Sequence, residues 1–492
     1  MTHLPALAVE GLQVRVQSTG LNLLQSLSFE LHAGQRLTLM GESGSGKSIL
    51  AQAIMGTLPA GLQASGQVRI QGVPTDGRRE LTRALWGREV AMLPQEPWLS
   101  LNPLMRVLPQ VAEAAHYRPG TRLPWRQARA QAHQRLGGLG VAHAARQWVH
   151  QISGGMAQRV ALATTQLSEA RLLIADEPTK GLDAELRDQV AELLLARQNE
   201  GQALLTITHD IVLAEKLGGM LAVMREGKVV EFGTASDVLR APQHAYTREL
   251  LAAQPARWPS MLGTFDASQP RVIEGCGLGK AYGTRSLFEN QNISLHRGEV
   301  VAIVGPSGCG KTTLGNMLLG LVPPDKGQVR RATDSNRLQY QKLYQDPPAA
   351  FAPQSSLNTA LQDLVALHGL DASAVFPLLQ KLKLSKALLA RKPAEISGGE
   401  LQRFALLRLL LLRPRFIFAD EPTSRLDPIT QRETIQVLCH AAAEFECAVL
   451  LVTHDAEVAA KASHRQLALS GGQRGLGAGG HRVSGHLCPG AA

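Results

Sequence analysis

Two stretches carry the residue types and spacing of a phosphate-binding loop. They are Gly41-Glu42-Ser43-Gly44-Ser45-Gly46-Lys47-Ser48 and Gly305-Pro306-Ser307-Gly308-Cys309-Gly310-Lys311-Thr312. Both satisfy G-x-x-x-x-G-K-[ST]. Glycines let consecutive backbone N–H groups point inward, which makes an anion nest where a helix begins. Gly41, Ser43, Gly44 and Gly46 would line the first nest, and Gly305, Ser307, Gly308 and Gly310 the second. Lys47 and Lys311 are expected to reach the β- and γ-phosphates of ATP, and Ser48 and Thr312 to coordinate Mg²⁺ through their hydroxyls. One match alone can be a plain Gly-rich turn. Two in equivalent contexts are not.

Each loop is followed by the same series of further groups. Leu172-Leu173-Ile174-Ala175-Asp176-Glu177 and Phe416-Ile417-Phe418-Ala419-Asp420-Glu421 are apolar runs that end in two carboxylates. A buried strand ending this way sets both acids at its C-terminal edge, beside the phosphate loop. Asp176 and Asp420 suit the Mg²⁺ shell; Glu177 and Glu421 suit the general base that polarises an attacking water. The plainer reading is an acidic strand end turning at Pro178 or Pro422. Ser153-Gly154-Gly155 and Ser397-Gly398-Gly399 each open a helix-forming stretch, as a helix cap or as a second anion site. Their similar distance from the carboxylate run in both halves favours the anion site.

The elements that must position these groups are legible too. Arg36–Met40 and Val300–Val304 read as strands running into the loops, and Leu204–Thr208 and Val449–Thr453 as later apolar strands. Such strands alternating with helical stretches predict an α/β fold with a mainly parallel sheet covered on both faces. Segments 109–146 and 357–386 read as helical lobes, each ahead of the Ser-Gly-Gly of its half. At 492 residues, with 44% hydrophobic and 19% charged content, the chain predicts several globular domains. No apolar run is long enough for a membrane span, and no signal peptide is read at Met1–Pro5. The five cysteines lack metal-ligand spacing, which predicts a reduced, cytoplasmic chain. A net charge of +10 fits nucleic acid, anionic lipid or simply a solvated basic surface. No basic run interleaved with aromatics favours nucleic acid.

These residues resemble the ATP-binding cassette ATPases over both halves, from Leu7 to Leu469. The resemblance implies two tandem P-loop NTPase cassettes, each a parallel sheet core with a β-subdomain and a helical lobe carrying the Ser-Gly-Gly signature. The implied domains are 1–252 and 270–475, with a linker over 253–269 and a disordered Gly-rich tail over 476–492. By resemblance, Gln95 and Gln345 sense Mg²⁺ and water, and Asp183 and Asp427 follow the carboxylate strands. His209 and His454, in Thr208-His209-Asp210 and Thr453-His454-Asp455, are the switch histidines. The family further implies a head-to-tail pairing of the two cassettes within the chain. One site would then use Lys47, Asp176 and Glu177 with Ser397-Gly398-Gly399; the other, Lys311, Asp420 and Glu421 with Ser153-Gly154-Gly155. Both are expected to hydrolyse ATP. Tyr282 resembles the aromatic that stacks on adenine, whereas Val16 stands near that place in the first half. Stacking contributes on the order of 0.5–1.5 kcal/mol, so the first site is expected to hold ATP more weakly.

Within the family, Gln95-Glu96-Pro97-Trp98-Leu99-Ser100-Leu101-Asn102-Pro103 and Pro242-Gln243-His244-Ala245-Tyr246-Thr247 resemble segments of the peptide and nickel importer ATPases. That implies two membrane permease subunits, an extracytoplasmic solute-binding protein, no nucleic acid, and a peripheral place on the cytoplasmic face of the inner membrane. Residues 96–103 and 346–353 would form the dock. Two alternatives remain: a soluble twin-cassette ATPase on ribosomes or DNA, and a subunit of a phosphonate-breakdown assembly.

Overall fold

The computed structural model describes residues 4–118, 122–168, 170–180, 182, 184–199, 201–283, 285–306, 308–332, 336–424 and 426–469. The chain divides into two compact units, 1–251 and 252–492. Asp183, Ser307 and the tail over 476–492 lie outside the described residues, as does any strand beyond Leu469.

The first unit opens with strands β1 (Leu7–Val16), β2 (Asn22–Leu31) and β3 (Arg36–Met40), continues with β4 (Leu62–Ile70) and β5 (Val73–Pro74), and then β6 (Val90–Leu93). After the helical lobe come β7 (Leu172–Asp176), β8 (Ala203–Ile207), β9 (Met220–Arg225) and β10 (Lys228–Thr234). The core sheet has the order β10-β9-β3-β8-β7-β6 and is parallel except for β10. A separate antiparallel sheet, β2-β1-β4-β5, forms the β-subdomain. Every residue of β7 and β8 is buried, so both read as continuous apolar runs, as a sheet covered on two faces requires.

The second unit repeats this plan. Its strands are β11 (Arg271–Tyr282), β12 (Arg285–His296), β13 (Val300–Val304), β14 (Lys326–Arg331), β15 (Tyr340–Leu343), β16 (Phe416–Asp420), β17 (Ala448–Val452) and β18 (Arg465–Ala468). The core sheet, β15-β16-β17-β13-β18, is all parallel, and β12-β11-β14 is antiparallel. The linker stretch packs on this unit: Trp258 is buried in its core and its indole N–H donates to Ala253 O at 2.8 Å. No helix among the described residues is long and apolar enough to cross a membrane.

Four strand ends fall a residue away from where the apolar runs alone would put them. Asp176 pairs with Ile207 and Asp420 with Val452, so the first carboxylate of each pair belongs to the strand itself. β8 and β17 each stop a residue before their threonine. The helical lobes are present as the helices Val107–His116 and Trp125–Gly138 in one unit and Leu357–His368 and Val375–Lys381 in the other.

Candidate nucleotide sites

Parallel pairing fixes the geometry. β8 lies between β3 and β7, so the loop after Met40, the carboxylates ending β7 and His209 after β8 all emerge at one sheet edge. In the second unit β17 lies between β13 and β16 and does the same. The helices Lys47–Met55 and Lys311–Leu318 start directly after Gly46 and Gly310, whose left-handed φ values are 98° and 104°. Lys47 is 7% exposed; its ammonium donates to Gly41 O at 2.8 Å, Glu42 O at 2.7 Å and Ser45 Oγ at 3.1 Å. Lys311 donates to Gly305 O at 2.7 Å and Pro306 O at 3.0 Å. Each lysine is thus aimed across its own loop.

The residues present fit Mg²⁺. Asp176 is buried, Ser48 hydrogen-bonds its carboxylate, and its Oδ1 has no hydrogen-bond partner among the described residues. Burial chiefly, with the Glu177 charge beside it, pushes its pKa up to about 6 against the pull of Ser48, Lys47 and Lys180. A hard cation would relieve that cost. Thr312 Oγ1 donates to Asp420 Oδ1 at 2.9 Å in the second unit. One carboxylate and one hydroxyl are what Mg²⁺ takes from a protein when phosphate and water complete its shell. When bound it would neutralise charge on the phosphates.

The two glutamates share a feature invisible in the sequence. Glu177 and Glu421 sit at φ 50° and 45°, a left-handed backbone that costs a non-glycine residue about 1–2 kcal/mol. Each is locked there by its own N–H, donated to Ile207 O at 2.8 Å or Val452 O at 3.0 Å. Such local strain recurs where a side chain must be aimed.

Their partners differ. Glu177 Oε1 lies 2.7 Å from His209 Nδ1, and Oε2 accepts from Thr208 Oγ1 at 3.3 Å. Glu421 Oε2 instead accepts from Gln345 Nε2 at 2.9 Å, with His454 Nδ1 3.8 Å away. Gln95 is half-buried after β6 and makes no such bond to Glu177 among the described residues. Burial would raise the pKa of Glu177, yet His209, Lys47 and Lys180 outweigh it and hold the acid below its usual range. Burial would likewise depress His209, but Glu177 and Asp210 raise it. Glu421 is held low against burial by the nearby His454 and Lys311, and His454 is raised by the Glu421 carboxylate beside it. Both glutamates therefore stay ionised near neutral pH, as a general base must.

The Glu177–His209 pair gives a pH signature. His209, raised in the fold, stabilises fully below its unfolded value of 6.5 and loses this as pH rises through its folded pKa. Glu177, lowered in the fold, stabilises above its unfolded value of 4.5 and loses this as pH falls through its folded pKa. The melting-temperature advantage of the wild type over His209→Gln is therefore greatest between 4.5 and 6.5 and shrinks on both sides. A difference that stays flat from pH 4 to 9 would contradict the pairing.

Ser153 and Ser397 cap the signature helices Gly154–Gln166 and Gly398–Leu411, accepting from Met156 N and Glu400 N, each at 3.3 Å. Ser397 also donates its hydroxyl to Glu400 at 2.8 Å, a reciprocal cap the first unit lacks. A methyl group at Gly399 would come within 2.1 Å of Thr430, so packing requires that glycine. At Gly154 it would meet nothing, which leaves the backbone open to a ligand. Gly155 would make only ordinary contact with Leu182, and Gly398 with Leu426. Asp427 is a buried helix cap, accepting from Thr430 N at 3.0 Å. Tyr282 ends β11, 56% exposed, and Val16 ends β1, half-buried.

Two groups escape a reading of motifs. Gln158, buried on its signature helix, donates to Pro178 O at 3.1 Å and ties that helix to the carboxylate turn. Lys342 lies 3.1 Å from Asp420, where Met92 occupies the matching register in the first unit. A lone lysine inside a short buried-edge strand was the available signal. One expectation is corrected: Phe351 is buried under the Arg408 guanidinium, 4.9 Å from its ring, so it cannot face a dock, whereas Trp98 is 40% exposed.

The sheet edge, loop, paired acids and capped signature helix, present in each unit, define a tandem nucleotide-binding cassette protein. Residues 24–180 and 288–424 match the ABC transporter family, and the chain belongs to that family. It is 35% identical to the peptidoglycan transport ATP-binding protein YejF of Agrobacterium fabrum, over 92% of this chain and 89% of that protein. It is 31% identical to the glutathione import ATP-binding protein GsiA of Pectobacterium atrosepticum, over 92% of this chain and 82% of that protein. The archaeal ribosome recycling factor aABCE1 shares the fold at a TM-score of 0.64 with 21% identity, covering 94% of this chain and 87% of that one.

Proposed function

We propose that this chain hydrolyses ATP as the energising subunit of an importer of peptide-type solutes. The observation that carries hydrolysis is the ionised, backbone-locked glutamate beside a phosphate-loop lysine at one sheet edge in both units. Import is supported by relatives matched along nearly the whole chain, one named for peptidoglycan transport and one for glutathione import. Glutathione is a peptide and peptidoglycan bears peptide stems, which favours peptides over nickel or a metal chelate. On this reading the chain works from the cytoplasmic face of the cell membrane with two permease subunits and a solute-binding protein. Its cassettes pair head to tail, each phosphate loop with the other half's signature.

The likeness to a ribosome recycling factor is one of fold, and the short linker and cysteine pattern do not favour a ribosome or DNA partner. Reconstitution of the chain with its permease pair in vesicles tests the proposal. Peptide-stimulated ATPase activity and ATP-driven uptake are expected. Sedimentation with ribosomes and not with membranes, or purification within a phosphonate-cleaving assembly, would overturn it. In the same vesicles Trp98→Ala should reduce uptake several-fold while the chain's own ATPase activity persists.

A further inference from the structure

The helix Ala245–Ala252 turns Tyr246 inward until it is 2% exposed. Its hydroxyl accepts the N–H of Glu42 at 2.8 Å, inside the first phosphate loop. That N–H belongs to the same peptide unit as Gly41 O, which accepts from Lys47 Nζ at 2.8 Å. One peptide plane is thus held from its two ends, by a phenol on one and an ammonium on the other.

The phenol is itself fixed. The Arg225 guanidinium lies 5.0 Å from the centre of its ring. Glu231 accepts the N–H groups of Gln243 at 2.7 Å and His244 at 3.0 Å, and the N–H of Tyr246 donates to His244 Nδ1 at 3.2 Å. The turn before the helix is therefore pinned to β10.

The second loop solves the same problem differently. Pro306 stands where the first loop has Glu42, so the peptide after Gly305 has no N–H to anchor and its ring fixes φ. No tyrosine follows Tyr344 in the sequence. Lys311 is nonetheless held by Gly305 O and Pro306 O, as Lys47 is by Gly41 O and Glu42 O.

We infer that Tyr246 is a positioning residue for the first ATP site. It holds the Gly41–Glu42 peptide so that Lys47 stays aimed at the phosphates, a task that Pro306 performs covalently in the second site. The inference rests on the reading of both loops as ATP sites.

The test uses the full chain and a fluorescent N-methylanthraniloyl ATP. In a Lys311→Ala background, where the first site dominates binding, Tyr246→Phe keeps the ring and loses the acceptor. Affinity should fall about fivefold, the equivalent of one ordinary hydrogen bond. Exchange of the Glu42 amide with solvent should speed up while the melting temperature barely moves. In a Lys47→Ala background the same substitution should leave affinity unchanged. Glu42→Pro, which removes the donor, should make Tyr246→Phe silent. Unchanged affinity in the Lys311→Ala background would overturn the inference, as would an equal loss in both backgrounds or a further loss on top of Glu42→Pro. A parent chain that binds no ATP analogue would instead sink the ATP reading.

Discussion

Replacing Glu177 and Glu421 together by Gln should lower ATP turnover about 10³-fold while leaving nucleotide binding intact, because a positioned general base contributes roughly 10²–10⁴. Gln keeps the shape of Glu and most of its hydrogen bonds but cannot take a proton. Both backbones are already locked at φ 50° and 45°, so the substitution should not re-aim the side chain. Each single replacement should cut turnover as well, since each acid is ionised and each sits beside a phosphate-loop lysine. The effects need not be equal: Glu177 rests on His209, whereas Glu421 rests on Gln345. A Glu177→Gln chain with normal turnover beside a dead Glu421→Gln chain would refute two competent sites. Steady-state phosphate release and equilibrium nucleotide binding, measured on the same preparations, separate chemistry from affinity.

Gly41→Ala or Gly305→Ala should weaken nucleotide binding at the affected site by about two orders of magnitude. A Cβ at Gly41 would sit 2.2 Å from Met224 O, and one at Gly305 2.3 Å from Leu469 O. Those atoms are backbone at the end of β9 and just past β18, and cannot swing aside as a flexible side chain would. The φ values of 153° and 154° add strain that only glycine escapes. Overpacking of about 1–3 kcal/mol together with backbone strain of about 1–2 kcal/mol gives the expected size. Gly44→Ala is the control: it has a φ of 85° but nothing within 4 Å, so it should lose far less. Equal losses at Gly41 and Gly44 would show that conformational freedom, not contact, sets the effect.

Much of the fold was legible because the parallel strands are short, continuously apolar and punctuated by loops with fixed glycine spacing. Arg36–Met40 and Val300–Val304 fall where their pattern puts them. The carboxylates at the ends of β7 and β16 followed from the abrupt change from apolar to acidic residues. The one-residue shifts arose because strand ends are set by the neighbour's register, which no local pattern encodes. Phe351 failed for a related reason. Segment 346–353 entered the dock by resemblance, which carries no information on burial, but the Arg408 side chain covers Phe351 and the core takes its ring.

Two duplicated sets of phosphate loops, paired acids and signature caps are properties of sequence alone, because each depends on residues within a few positions of one another. Which group holds each glutamate of the paired acids was decided by tertiary structure, as was the left-handed turn that aims it. So was the contact between Tyr246 and Glu42, 204 residues apart in the chain. These depend on side chains brought together by sheet order and helix packing, and such distances carry no periodicity that a linear sequence could display.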